Sequence, residues 1–85
     1  MSEVSRFLGI VIALYSNDHL PPHFHARYAG AEVKIAIESA TVISGYLPNR
    51  QLRFVLAWAA RHTDELMAAW QNVRDGLPPP QIAPV

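Results

Sequence analysis

The hydrophobic pattern of the chain changes its period at Pro48. Before that residue, apolar side chains form a continuous run or alternate with polar ones, which is typical of β-strands. After it, apolar residues recur every three or four positions, as they do on one face of an α-helix. We therefore expect residues 1–85 to form a single α+β domain, in which a mainly antiparallel sheet precedes the helical part.

Four strands are predicted over about residues 7–47. Phe7 to Tyr15 is a continuous apolar run and is interpreted as one strand covered on both faces. His23 to Ala29 and Ala31 to Glu38 alternate between apolar and polar residues, and Thr41 to Leu47 is the fourth strand. The sheet is then expected to pack one face on the C-terminal helix.

The register between the second and third strands follows from a two-residue turn at Ala29-Gly30. This turn sets Arg27 opposite Glu32 and His25 opposite Lys34. A slip of one residue would place histidines among the core side chains. The same alternation predicts that His23 and His25 point away from the core, so their replacement by alanine should change stability little.

One long or broken helix is predicted over about residues 49–75, followed by an extended Pro-rich tail, 77–85. A continuous helix of about 27 residues would be roughly 40 Å long, which is long for a chain of this size. A break near His62 is the alternative, with Thr63 as N-cap of the second part. The tail is expected to be available to a neighbouring chain.

Composition restricts the class of partner. The net charge is zero and Lys34 is the only lysine, so generic nucleic-acid binding is disfavoured. Charged residues make up 16% of the chain, against roughly 25% in typical soluble domains. This predicts a homo-oligomer or a small cognate protein partner that covers apolar surface. The longest apolar run is too short to span a membrane, and no signal peptide is visible, so a cytoplasmic protein is expected.

The segment "DHLPPHFHARY", residues 18–28, contains three of the four histidines. His23 and His25 are two apart on a predicted strand, so both imidazoles lie on one face and could bind a divalent transition metal. His19 is the candidate third ligand, and Asp18 is the nearest carboxylate. The alternative is a solvated polar face with no metal, and the nearby cations disfavour a divalent ion.

Those cations support a second interpretation of the same face. Arg27 and Lys34 would suit an anionic ligand such as phosphate, with His23, His25 and Arg27 as catalytic residues of a metal- or His/Arg-dependent phosphodiesterase or ribonuclease. The simpler alternative is a cross-strand ion pair between Arg27 and Glu32.

A second stripe of the predicted helix carries Phe54, Trp58 and His62, with Glu65 three residues further on. Phe54 and Trp58 would form a protein interface or a wide core face under the sheet. His62 and Glu65 are weaker candidates for metal ligands that complete the histidine face.

The combination of "SRFLGIVIALYSNDHLPPHFHARYAG", "ISGYLP" and "WAARHTDELMAAW" resembles the bacterial domain-of-unknown-function family 4160 over nearly the whole chain. Ala40 departs from the glycine frequent in the third turn of members, and Val85 stands where leucine is usual. The resemblance implies a component of a two-gene module of toxin–antitoxin type that acts through protein–protein contact, with the histidine face as its functional site. The alternatives are the phosphodiesterase or ribonuclease and a non-catalytic metal-binding module.

Overall fold

The computed structural model describes residues 1–85, which form a five-stranded antiparallel sheet followed by two helices. The strands are neighbours in chain order, so the sheet is a meander. The elements are β1 (Ser2–Phe7), β2 (Ile10–Leu14), β3 (His23–Tyr28), β4 (Ala31–Ala36), β5 (Thr41–Gly45), α1 (Asn49–Arg61) and α2 (Thr63–Arg74). The α+β class and the antiparallel sheet are confirmed.

The prediction of four strands was wrong, because the first apolar run is not one strand. A turn at Leu8-Gly9 divides it, and β1 extends back through polar residues to Ser2. Both turn residues have left-handed backbone, with φ of 53° at Leu8 and 78° at Gly9. Leucine rarely adopts that conformation, so Leu8-Gly9 is a weak turn signal inside an apolar run.

The predicted hairpin between β3 and β4 is confirmed. Arg27 pairs with Glu32 and His25 with Lys34, around a turn whose residues Ala29 and Gly30 have φ of 48° and 84°. Positive φ at both central residues is the pattern that matches the twist of two-residue hairpins. The strand pairing therefore gives the histidines the cross-strand neighbours expected from the sequence.

The helical part is broken at His62, as one of the two alternatives predicted. His62 ends α1 and also precedes α2, with φ −125° and ψ 27°. The expected cap was wrong, because Thr63 is the first residue of α2 and no side chain caps it. Asp64 and Glu65 occupy the first turn of α2, where negative charge favours the helix dipole.

The core lies between the helices and one face of the sheet. Its fully buried members include Phe24 and Ile35 from the sheet, Trp58 from α1 and Leu66 from α2. The Pro-rich tail also belongs to this core, which corrects the expectation that it is free for a neighbouring chain. Ile82 is 3% exposed and its N–H donates to the carbonyl of Val4 in β1.

The tail is further fixed by α1. The indole N–H of Trp58 donates to the carbonyl oxygen of Ala83 at 2.8 Å. The amide of Gln81 donates to the carbonyl of Glu3 at 2.9 Å. These contacts cover the outer edge of β1, so the two edges of the sheet differ: β1 is covered by the tail, whereas every residue of β5 is exposed.

Candidate metal centre

The loop between β2 and β3 places Asp18 beside the histidines of β3. The N–H of Asp18 bonds to the carbonyl of Tyr15 at 3.3 Å, which turns the chain back over the sheet. Nη1 of Arg74, at the end of α2, donates to the backbone carbonyl of Asp18 at 3.5 Å, and its guanidinium lies over the Trp70 ring. The loop is thus attached to the helical layer as well as to its own strand.

His25 lies between two carboxylates. Its Nε2 is 2.8 Å from Oδ2 of Asp18, and its Nδ1 is 2.9 Å from Oε2 of Glu32. The Tyr15 ring packs edge-on against the imidazole, with centroids 4.4 Å apart. A neutral imidazole has one N–H and can donate to only one of the two carboxylates. The other contact then requires a proton or a cation.

His23 has only one hydrogen-bond partner. Its Nδ1 lies 2.8 Å from the carbonyl oxygen of Pro21, which can only accept, so Nδ1 carries the hydrogen. Its Nε2 is 3.2 Å from Oδ2 of Asp18, within ion-pair distance but without the alignment of a hydrogen bond. The side chain is 7% exposed and packs on Trp70. In the neutral ring, a lone pair of Nε2 therefore meets a carboxylate in a place that water hardly reaches.

Both histidines are buried, which disagrees with the alternative of a solvated polar face. Alternation does send them to the face opposite Phe24, but the loop carrying Asp18 and the ring of Tyr15 cover that face locally. Replacing either histidine by alanine should therefore affect stability as well as any site.

Three side chains offer donor atoms to a common point. Asp18, His23 and His25 each offer one donor atom, and these atoms lie within 4.8 Å of one another. Nε2 of His23 and Nε2 of His25 are 3.2 and 2.8 Å from Oδ2 of Asp18. His19, the third ligand expected from the sequence, is exposed and does not belong to this group. We refer to Asp18, His23 and His25 as the donor cluster.

His62 and Glu65 form a separate pair on the helices. Nδ1 of His62 is 2.6 Å from Oε1 of Glu65, and its ring packs on Trp58. Neither residue belongs to the donor cluster. Trp58 is fully buried, which agrees with the core alternative for that residue, whereas Phe54 is 37% exposed.

The two cations of the predicted anion site lie in different places. Nε of Arg27 is 3.6 Å from Oε1 of Glu32, so the cross-strand ion pair is present. Arg27 and Arg6 line an open pocket of about 390 Å³ near the Ala29-Gly30 turn. Lys34 instead lines a pocket of about 210 Å³ with Asp18 and His23.

Arg6 and Glu3 form an ion pair on β1. Arg6 donates to Glu3 at 2.8 Å, and this hydrogen bond lowers the pKa of the Glu3 carboxyl, with the Arg6 charge acting in the same direction. The same hydrogen bond raises the pKa of the Arg6 guanidinium. Arg6 is exposed and Glu3 is partly exposed, so the pair is a surface feature and not part of the donor cluster.

Three neighbours of the histidines were not predicted as functional from the sequence. Asp18 was noted only as the nearest carboxylate, and Glu32 only as the partner of Arg27. Glu32 contacts His25 because the two residues are diagonal neighbours across the hairpin. The strand register alone defines this position. Tyr15 gave no usable signal, since its contact depends on the path of the loop.

The family profile of a domain of unknown function, DUF4160, matches residues 9–71 of the chain. The protein belongs to this family. The resemblance stated from the sequence is thereby confirmed, and the matched residues of DUF4160 include the whole donor cluster. Comparisons with curated proteins and with solved structures find no match. Neither helix of this DUF4160 member combines the length and apolar character needed to cross a membrane.

Proposed function

We propose that this protein is a metal-binding module in which the donor cluster holds one divalent transition-metal ion. The observation that carries the proposal is the buried Nε2 of His23, which has no hydrogen-bond partner and lies 3.2 Å from the Asp18 carboxylate. Two acceptors that face each other with little access to water are unfavourable unless a proton or a cation lies between them. A metal ion bound by both atoms removes that cost.

The outer contacts of the two imidazoles support the same proposal. His25 can donate its Nδ1–H to Glu32, and His23 donates its Nδ1–H to the Pro21 carbonyl. Metal-binding histidines usually donate their second N–H to a carboxylate or a backbone carbonyl, which fixes the tautomer and orients the free nitrogen toward the ion. Both histidines are thus arranged to offer Nε2.

The donor types indicate which ions to test. Two imidazoles and one carboxylate, in a chain without cysteine, suit Zn²⁺ or Fe²⁺ better than Ca²⁺ or Mg²⁺, which prefer all-oxygen ligands. Arg27 does not oppose a cation, because it is paired with Glu32. Arg74 donates to the backbone carbonyl of Asp18, and its guanidinium lies over the Trp70 ring.

The experiment is a calorimetric titration of the apo protein with Zn²⁺, with Fe²⁺ tested under anaerobic conditions. We expect one equivalent to bind, and His23→Asn to weaken binding about a hundredfold or more, because one of three protein ligands is lost. His62→Asn is the matched control, since it removes an imidazole outside the donor cluster. Equal weakening by both variants, or no stoichiometric binding by the wild type, would refute the proposal.

We propose as a second candidate function a protein-contact component of a bacterial, cytoplasmic two-gene module. The surface around β5 supports the protein contact. Val42 and Ile43 are 42% and 46% exposed, and Tyr46, just after the strand, is 68% exposed. No charged residue lies between positions 39 and 49, and charges are the usual protection of an edge strand against pairing.

This second function predicts that the product of the adjacent gene co-purifies with the protein. Ile43→Lys should abolish that association, whereas Phe54→Lys, on α1, tests the interface expected from the helix stripe. Association that survives both changes would place the contact elsewhere.

The metal-dependent form of the enzymatic alternative, a phosphodiesterase or ribonuclease, requires the same ion. Three protein ligands leave a coordination position for water, and a bound metal ion lowers the pKa of such a water, which is how metal-dependent hydrolases generate their nucleophile. A route that uses Arg27 directly has less support, because its guanidinium is paired with Glu32.

A further inference from the structure

One pocket adjoins the donor cluster. Asp18 and His23 both contribute to the wall of the 210 Å³ pocket, whereas the larger pocket beside Arg27 contains none of the three donors. A tetrahedral ion with three protein ligands has one position left for an external ligand. The smaller pocket is therefore the route by which an external ligand reaches that position.

The rest of the pocket wall offers hydrogen-bond donors. Lys34 lies directly opposite His25 on β3 and Ser44 on β5, so the three side chains share one face of the sheet. Lys34 forms no ion pair, and Glu32, two residues before it on the same face, is already in contact with His25 and Arg27. His19 also lines this pocket. An ammonium group, a hydroxyl and an imidazole thus line the pocket, together with apolar residues.

We propose that this pocket binds a small phosphate-type oxyanion, with one oxygen on the metal ion and another on the ammonium of Lys34. The proposal rests on the metal site proposed above. With a divalent ion in place, the charges of the ion, Asp18 and Lys34 sum to a positive site, whereas without it the Asp18 carboxylate repels an anion. The pocket is smaller than the roughly 300 Å³ at which drug-sized sites begin, which favours phosphate or a phosphomonoester group over a long ligand.

The test is a two-stage calorimetric titration, first with Zn²⁺ and then with inorganic phosphate. We expect phosphate to bind the zinc-loaded protein in equimolar amount and not to bind the apo protein. Lys34→Gln should not weaken the binding of Zn²⁺, because it removes a positive charge beside the site, and should weaken phosphate binding about tenfold or more, because a charge-assisted hydrogen bond is lost. Arg53→Gln, which removes one exposed positive charge from α1, is the matched control and should leave both affinities unchanged.

The outcomes separate the two proposals. Zinc binding without phosphate binding, or phosphate binding that Lys34→Gln does not weaken, overturns the oxyanion site and leaves the metal site intact. Phosphate binding of equal strength with and without zinc overturns the assignment of one phosphate oxygen to the metal. Absence of zinc binding by the wild type overturns both proposals.

Discussion

At the residue scale, the candidate metal centre depends on which atoms contact the two imidazoles of His23 and His25. Their spacing on one strand and their cross-strand neighbours follow from alternation and from the two-residue turn, so both could be predicted from the sequence. Their burial could not, because it results from a loop that returns over the sheet and from Tyr15. For the same reason the sequence indicated His19 as the third ligand, although the loop presents Asp18 instead.

Glu32 provides a test of the outer contacts at this scale. Glu32→Gln keeps an acceptor for Nδ1–H of His25 but removes its negative charge, so we expect metal affinity to fall about tenfold or more. Calorimetric titration with Zn²⁺ measures the change. Glu38→Gln removes an exposed carboxylate outside the cluster and should have no effect. Unchanged affinity in Glu32→Gln would mean that Glu32 does not support the ligand.

At the element scale, turn chemistry explains both the correct and the missed hairpin. Gly30 lies between two alternating segments and predicts the turn between β3 and β4. The turn between β1 and β2 was missed because Leu8 continues an apolar run. The break at His62 was one of two alternatives that the sequence left open, because a continuous helix of about 27 residues is long for a chain of this size. The absence of a side-chain cap could not be predicted, since capping depends on local geometry.

The left-handed conformation of Leu8 predicts a stabilising substitution. Leu8 is 58% exposed, so Leu8→Asn loses little burial and places a residue that tolerates positive φ before Gly9. We expect the free energy of unfolding in urea to rise by about 1 kcal/mol. Leu77→Asn is the control, because Leu77 is similarly exposed without a left-handed backbone, and should change stability by no more than about 0.5 kcal/mol. A loss of stability in Leu8→Asn would contradict this explanation of the turn.

At the scale of the whole molecule, the tail is a part of the core that could not be predicted from the composition. Its prolines predicted an extended segment, but nothing in the sequence indicated that Ile82 would be buried or that Trp58 would bond to Ala83. The low charge content predicted a covering partner. In the structure the tail covers the β1 edge, whereas β5 is exposed. We therefore expect a protein partner to bind at β5.

Ile82 tests the role of the tail in stability. Ile82→Ala should lower the free energy of unfolding by about 2–5 kcal/mol, as expected for truncation of a buried isoleucine. Val85→Ala, at an exposed position of the same tail, should change it by no more than about 0.5 kcal/mol. Thermal and urea unfolding of dilute protein measure both. If Ile82→Ala were as stable as the wild type, the tail would not belong to the core.

The most direct test of the metal centre is anomalous diffraction at the zinc absorption edge from crystals of the zinc-loaded protein. We predict one strong peak about 2.0–2.2 Å from Oδ2 of Asp18 and from the Nε2 atoms of His23 and His25, the usual distances for zinc with these ligands. A peak bound by His19, or by His62 and Glu65, would contradict the assignment of the donor cluster. Fully loaded crystals without a peak at the cluster would contradict the account as a whole.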